Sequence, residues 1–313
     1  MNIWNGIGAY PEEARPVVAS IGNYDGVHLG HQAILRLVVD DARRRGLPAM
    51  LITFDPHPAS VLAPERRPRL LQTRRQKLDR LQDTGLTDLL LLEFNEDLAA
   101  LSGEQFFDGL LSPRLSVATI HVGENFRFGR ARAGDLDLLR RIGVRLGFDV
   151  NGVAPVLLDE MMISSSAIRA AIAEGNVELA CKMLGRPFSI LGEVIRGDGR
   201  GHSLQCPTAN LEYDNELVPR PGVYVTESVV LASRCPSLTN VGYRPTVGGA
   251  ALTVETHILD FEEEIYGERL EVRFLAHLRD EVRFDDLSDL ADQLARDRAA
   301  AESYFQHQRL RAQ

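Results

Sequence analysis

Residues 22–31 read Gly22-Asn23-Tyr24-Asp25-Gly26-Val27-His28-Leu29-Gly30-His31, directly after the apolar run Val17-Val18-Ala19-Ser20-Ile21 and directly before a helical pattern that starts at Gln32. A strand that breaks at glycines and opens a helix turns backbone N–H groups, and the positive end of the helix dipole, toward whatever sits above the turn. His28 in the loop and His31 at the helix entry lie three residues apart, so both can donate to one oligophosphate. Gly22, Asn23, Tyr24 and Gly26 complete the turn as contacts of the same ligand. The alternative is a glycine turn with two solvent-exposed histidines. Three bracketing glycines at a strand-to-helix junction weigh against it.

Three further stretches in the first half carry chemistry. Asp55-Pro56-His57-Pro58 follows an apolar run ending at Phe54. Two prolines fix the backbone there, and a rim of Phe54, Pro56 and Pro58 suits a flat aromatic ligand, with His57 placed for a phosphate contact. Taken alone, the same stretch reads equally as a proline turn with an incidental histidine. The loop Gly123-Glu124-Asn125-Phe126-Arg127-Phe128-Gly129, continuing to Asp135, holds three arginines and two phenylalanines. Arginine forks such as Arg127 grip phosphate oxygens, and rings such as Phe128 stack on aromatic ligands. Ile163-Ser164-Ser165-Ser166-Ala167-Ile168-Arg169 enters a helix expected over 170–184, where serines cap and bind phosphate and Arg169 reaches back from the first turn. These residues donate generously to a triphosphate and include no nucleophile. A phosphorylated substrate that attacks the α-phosphate of ATP itself needs only alignment and charge stabilisation, so nucleotidyl transfer is the reaction this layout serves.

The second half offers weaker signals. Gly197, Gly199 and Gly201 make a loop whose backbone can approach phosphates closely, although it is not a Walker loop. Thr208 and Asn210 follow it with hard oxygen donors suited to Mg²⁺ held jointly with ATP. Glu255, in Thr253-Val254-Glu255-Thr256-His257, supplies a carboxylate able to take a proton from a substrate hydroxyl. Their joint alternative is a plain structural barrel.

The elements that must position these residues change character along the chain. Up to about residue 184, buried apolar runs (17–21, 49–54, 89–94, 116–122 and 149–150) alternate with amphipathic helical patterns, which predicts an α/β domain on a parallel, Rossmann-like sheet with its ligands at the carboxyl ends of the strands. From about residue 188, short alternating runs separated by turn residues predict an antiparallel sheet closed into a small barrel. A long helix from about Leu287 to Phe305, with Leu290, Ala291 and Leu294 on one stripe, is expected to pack on that barrel. Gly185-Arg186-Pro187 marks the expected boundary, giving domains 1–184 and 185–313.

Composition narrows the function classes. With 313 residues, 44% hydrophobic and 25% charged, the chain has core enough for two globular domains. A net charge of −9 argues against a general nucleic-acid or membrane-surface binder, so anionic small molecules must be met locally. The only lysines are Lys77 and Lys182, neither in a glycine-rich loop, which excludes a P-loop and disfavours Schiff-base chemistry. Three widely spaced cysteines form neither a disulfide framework nor a zinc pattern, and no apolar run approaches the ~18 residues of a membrane span. A cytoplasmic enzyme, monomeric or weakly self-associating, is the expectation.

Residues 22–31, 53–58, 123–129 and 163–169 together resemble the motifs of the FMN adenylyltransferase module of prokaryotic bifunctional riboflavin kinase/FAD synthetases. The His-Leu-Gly-His and serine-arginine elements are shared across a wider nucleotidyltransferase superfamily; the proline loop and the Asn-Phe-Arg-Phe-Gly loop narrow it to flavin. The resemblance implies that His28, His31, Asn125, Ser164, Ser165 and Arg169 engage ATP and that Phe54, Pro56, Pro58 and Phe128 line a flavin site. Residues 207–210, 240–246, 254–258 and 265–267 are similar to the riboflavin kinase module. That implies a six-stranded barrel in which Glu255 is the base for the ribityl hydroxyl and Thr208 and Asn210 hold Mg²⁺-ATP. Riboflavin, FMN and FAD would be its substrates and products. One departure stands out: Leu204-Gln205-Cys206 replaces the Leu-Gly-Phe usual in the family, which removes a glycine and an aromatic ring beside the nucleotide loop and predicts a weakened kinase. The rival readings are an adenylyltransferase whose barrel only binds flavin, and a non-catalytic flavin carrier.

Overall fold

Six short strands organise the first half of the chain: β1 (Asn2–Asn5), β2 (Val17–Ile21), β3 (Ala49–Asp55), β4 (Asp88–Glu93), β5 (Val117–Gly123) and β6 (Asp149–Val153). In this computed structural model, which describes residues 1–11, 15–196, 208–246, 249–282, 284 and 286–311, they form one parallel sheet in the order β1-β4-β3-β2-β5-β6. Ala19, Ile52 and Leu90 face a core containing Phe106, Phe107 and Ile142, while Val18, Leu51 and Leu89 face a second core. Burial on both faces is why the inner strands β2 to β5 read as unbroken apolar runs, while the edge strands β1 and β6 do not.

The helices of this half are α1 (Leu29–Arg45), α2 (Pro58–Leu62), α3 (Arg74–Gln82), α4 (Glu96–Ala100), α5 (Gly103–Gln105), which continues as a π-helical turn over Phe106–Leu111, and α6 (Leu136–Leu146). Leu35, Val38 and Ala42 of α1 and Leu81 of α3 fill the second core. A hairpin of β7 (Leu157–Leu158) and β8 (Met161–Met162), absent from the sequence expectation, precedes the serine run. Strand order reverses at β2: the chain proceeds to β3 and β4 on one side, then crosses to β5 and β6 on the other. The crevice at the carboxyl ends of β2 and β5 is therefore the topological switch point, where open parallel sheets bind ligands.

Packing divides the chain into one unit of Met1–Arg69 with Arg74–Ser164 and another of Leu70–Thr73 with Ser165–Gln313. The second unit starts with α7 (Ser165–Ala173) and α8 (Val177–Leu184). The single helix expected over 170–184 is thus two helices. Gly175 takes φ 79° and Asn176 caps α8 by accepting from the Leu179 N–H at 3.0 Å, which stops one helix and starts the next.

The closed barrel follows: β9 (Phe188–Ile195), β10 (Ala209–Tyr213), β11 (Gly222–Val230), β12 (Ser233–Thr246), β13 (Gly249–Ile258) and β14 (Arg269–Arg279), ordered β10-β13-β12-β11-β14-β9. Its inside holds Tyr224 and Phe274 and a chain of hydroxyls joining Thr226, Ser228, Ser237, Thr239 and Thr256 at 2.8 to 2.9 Å. The outer face at Val223, Val225, Leu238 and Leu259 is covered by Ala301, Tyr304 and Phe305 of the terminal helix α9 (Leu287–Arg311). The packing stripe lies further along that helix than expected, and Ala291 is exposed.

Candidate functional site

At the switch point the turn after β2 is organised by its own histidine. His28 is the N-cap of α1, its Nδ1 accepting from the His31 backbone N–H at 3.3 Å. Acceptance at Nδ1 places the proton of the neutral ring on Nε2, so His28 presents a donor at the helix N-terminus. The His28 and His31 rings stack at 3.6 Å, and the Tyr24 ring lies 4.6 Å from His31. Tyr24 is the floor of this column: it is 3% exposed, its hydroxyl meets Ser20 Oγ at 2.6 Å, and burial pushes its phenol above the ordinary range. A Cβ at Gly30 would lie 3.1 to 3.2 Å from the His28 ring, so the glycine makes room for the histidine cap.

The same turn carries three residues at positive φ, namely Tyr24 (52°), Gly26 (87°) and Val27 (40°). Such geometry is strained for tyrosine and for a β-branched valine and needs support from outside the turn. Part of that support reaches Asn23, whose carbonyl accepts from Lys77 Nζ at 2.7 Å and from Thr53 Oγ1 at 3.3 Å. Gly22, at the end of β2, is half-buried, and Asp25 is buried.

Loops after β3 and β5 of the first unit flank the same sheet edge. After β3, the Asp55–Pro56 peptide is cis, Phe54 packs edge-on against Phe94 at 5.6 Å, and Asp55 pairs with Arg74 at 2.7 Å. His57 repeats the device of His28: its Nδ1 accepts from the Ala59 N–H at 3.1 Å and caps α2, whose first residue is Pro58. Pro56 is exposed. After β5, Asn125 and Arg127 are exposed, and Arg127 folds back to donate to the Phe126 carbonyl at 2.9 Å. Phe128, at 8% exposure, packs against Gly103, Gly134 and the edge of Phe107. Phe126 stacks on it at 5.4 Å and is the more accessible ring of the pair. Ser164 ends the first unit; Ser165 opens α7 in the second, with a half-buried Arg169 one turn on.

The second candidate centre is a row across the barrel. Asn210 on β10 and Asn240 on β12 are both register partners of Glu255 on β13, so three polar side chains share one face on three adjacent strands. Thr256 belongs to the buried hydroxyl chain inside; strand alternation therefore puts Glu255, half-buried, on the outer face. Thr208 sits two residues before Asn210, in phase with it. Gly197, Gly199, Gly201, Gln205 and Cys206 lie outside the described residues. Among the described residues no cluster of three or more His, Cys, Asp or Glu could hold a metal ion. Hydroxyl and amide oxygens such as those of Thr208 and Asn210 suit a hard cation shared with phosphates.

Comparison with known proteins gives these two centres a context. A family model described as FAD synthetase matches residues 10–167, and one described as riboflavin kinase matches residues 184–305. A bifunctional riboflavin kinase/FMN adenylyltransferase from Escherichia coli K12 is 38% identical over 289 residues, covering 92% of both chains. The chain belongs to the bifunctional riboflavin kinase/FMN adenylyltransferase family. A second member, from Pseudomonas fluorescens, is 39% identical, with coverage of 96% of this chain and 97% of that one. A crystal structure titled as a macrolide-efflux protein from Streptococcus pneumoniae shares the fold at a TM-score of 0.88 and 29% identity, covering 96% of this chain and 99% of that one. No described helix here is long and apolar enough to cross a membrane. As a member of the family the chain phosphorylates riboflavin to FMN and adenylylates FMN to FAD, with ATP as donor in both steps. A barrel that only binds flavin is not favoured, since the kinase model matches it along its length.

Sequence reasoning passed over two residues that the structure places beside these centres. Asn240 lies across from Glu255, which only strand register reveals. Lys77 bonds the turn after β2 from α3, fifty-four residues away in sequence, and its one signal is being a lysine in a chain built on arginine.

Proposed function

We propose that adenylyl transfer takes place at the switch point of the sheet and phosphoryl transfer on the outer face of the barrel, in modules corresponding to residues 1–184 and 185–313. The observation that carries the first assignment is the His28 cap, which supports a donor directed by the start of α1 at the place where parallel sheets bind nucleotides. His28 and His31 bind the triphosphate, together with the turn residues Gly22, Asn23 and Gly26; Tyr24 backs them as a ring beneath His31. Asn125, Arg127, Ser164, Ser165 and Arg169 add ATP contacts. An oxygen of the FMN phosphate attacks the α-phosphorus, the bond to the bridging oxygen breaks, and pyrophosphate leaves. The histidines and Arg169 stabilise charge on the departing group. Phe54, Pro56 and Pro58, with His57 at the rim, bind the flavin, and Phe126 serves as its ring contact with Phe128 behind it.

On the barrel, Glu255 accepts the proton of the ribityl hydroxyl as that oxygen attacks the γ-phosphorus, and ADP leaves. Thr208 and Asn210 hold Mg²⁺, which when bound neutralises phosphate charge; Gly197, Gly199 and Gly201 contribute the phosphate loop. The enzyme works in the cytoplasm on small molecules without nucleic acid, as a monomer or weak homo-oligomer. Replacing His28 by alanine is expected to stop FAD formation from FMN and to spare FMN formation from riboflavin, with the flavins separated by chromatography. FAD formation at the normal rate in that variant overturns the assignment.

A further inference from the structure

We propose that Lys77 is the positioning residue of the adenylyltransferase site, an ammonium clamp that holds the strained turn 22–28 in its phosphate-gripping shape. The inference rests on the reading of that turn as the ATP site. Lys77, on α3, donates to the Asn23 carbonyl at 2.7 Å and to Thr53 Oγ1 at 2.8 Å, and Thr53 Oγ1 itself donates to Asn23 at 3.3 Å. This closed triangle ties the first residues of the turn to β3 from below. The next residues include Tyr24, Gly26 and Val27, all at positive φ, and then the capping His28. A turn with a tyrosine and a valine in the left-handed region persists only where surrounding contacts over-determine it. The clamp supplies such a contact at its entry, as the His28 cap does at its exit.

The identity of the residue supports the role. The 35 basic residues of the chain are arginines apart from Lys77 and Lys182. A compact ammonium can give two hydrogen bonds inside a narrow space that a planar, five-donor guanidinium does not fit. The charged groups facing it are Asp25 from the turn and Asp55 from β3, with Arg74 of its own helix paired to Asp55. Desolvation lowers its pKa to about 8 against the opposing pull of those two carboxylates. Deprotonation therefore removes the positive charge facing Asp25, while Asp55 keeps Arg74, at a pH where the turn must still hold a polyanion.

The test uses the full-length enzyme, which contains its own folding control in the riboflavin kinase reaction. Lys77→Met is expected to lower kcat/KM for ATP in FAD formation about 100-fold, the scale of an ångström-sized misplacement, while FMN formation stays within about two-fold. In the wild type, FAD formation should fall as pH rises through about 8. Lys77→Arg should be slow and lack that limb, because a guanidinium stays charged. FAD formation at the wild-type rate in Lys77→Met, alongside an inactive His28→Ala, overturns the clamp. An active His28→Ala instead overturns the reading beneath it. Should Lys77→Met lose both activities by failing to fold, ¹³Cε NMR of lysine-labelled wild type decides. With two lysine signals, assigned through Lys182→Arg, the Lys77 signal should titrate near 8, and titration in the ordinary lysine range overturns the proposal.

Discussion

Replacing Gly30 by alanine separates what holds α1 together from what makes its N-terminus reactive. The added Cβ would stand 3.1 Å from Cε1 and 3.2 Å from Nδ1 of His28, tighter than an ordinary contact, so the imidazole must give by a few tenths of an ångström, which weakens its already long 3.3 Å hydrogen bond from the His31 N–H. Losing an N-cap costs about 1 kcal/mol. Gly30 sits in the first turn of α1, and exchanging glycine for alanine inside a helix returns up to about 1 kcal/mol. The two nearly cancel, so urea unfolding should show stability within about 1 kcal/mol of the parent. Catalysis has no such compensation. A donor displaced by a few tenths of an ångström loses part of the ~100-fold that a full ångström costs, so FAD formation from FMN should fall by roughly 10-fold while FMN formation from riboflavin is unchanged. Normal FAD formation by Gly30→Ala would refute the idea that the capped orientation of His28 is what the site uses. A loss of several kcal/mol in stability would refute the energetic reasoning.

Two other perturbations test the surroundings. Phe128→Ala should cost about 3 kcal/mol in urea unfolding, as for a core phenylalanine. Phe126→Ala should cost less stability than Phe128→Ala, because Phe126 is only partly buried against the core, but raise KM for FMN by ~2- to 10-fold in steady-state kinetics, the worth of one ring contact. Asp41 tests a buried network: burial works against its charge, yet hydrogen bonds from His121 at 3.2 Å, Arg44 and Arg45 prevail and hold its pKa below the ordinary aspartate range. Its contribution is therefore complete above the unfolded value and lost as pH falls through the lower folded one. Stability measured at stepped pH should decline over that acid window in the parent, and more shallowly in Asp41→Asn.

Local chemistry made some of this legible in the amino-acid sequence. The apolar run at β2 followed by glycines fixed both the strand end and the start of α1, because each residue type there allows little else. Leu290, Ala291 and Leu294 showed a helix but not which part of α9 meets the barrel, since periodicity gives a face and not a partner. The break at Gly175 was hidden because the apolar pattern continues through it and only the Asn176 cap declares a new start. β1 escaped notice because its four residues, Asn2 to Asn5, are a strand only by pairing with Asp88 to Leu91. At the site, the residue types of the histidine turn pointed to phosphate, but their geometry did not show. Histidine is an unusual helix cap, so neither His28 nor His57 revealed its ring nitrogen accepting a backbone N–H. That Phe128 is the more buried of the two rings in the loop after β5 does not show either, because sequence gives a ring and not its direction.

The central claim, that two separate sets of residues run the two transfers, is tested most directly by following phosphorus. His28→Ala is supplied with riboflavin and ATP labelled in one experiment at the γ-phosphorus and in another at the α-phosphorus, and the flavins are separated. The γ-label should enter FMN at the parental rate, and no α-label should enter any flavin. α-Label appearing in FAD, or γ-label failing to reach FMN, would contradict the account.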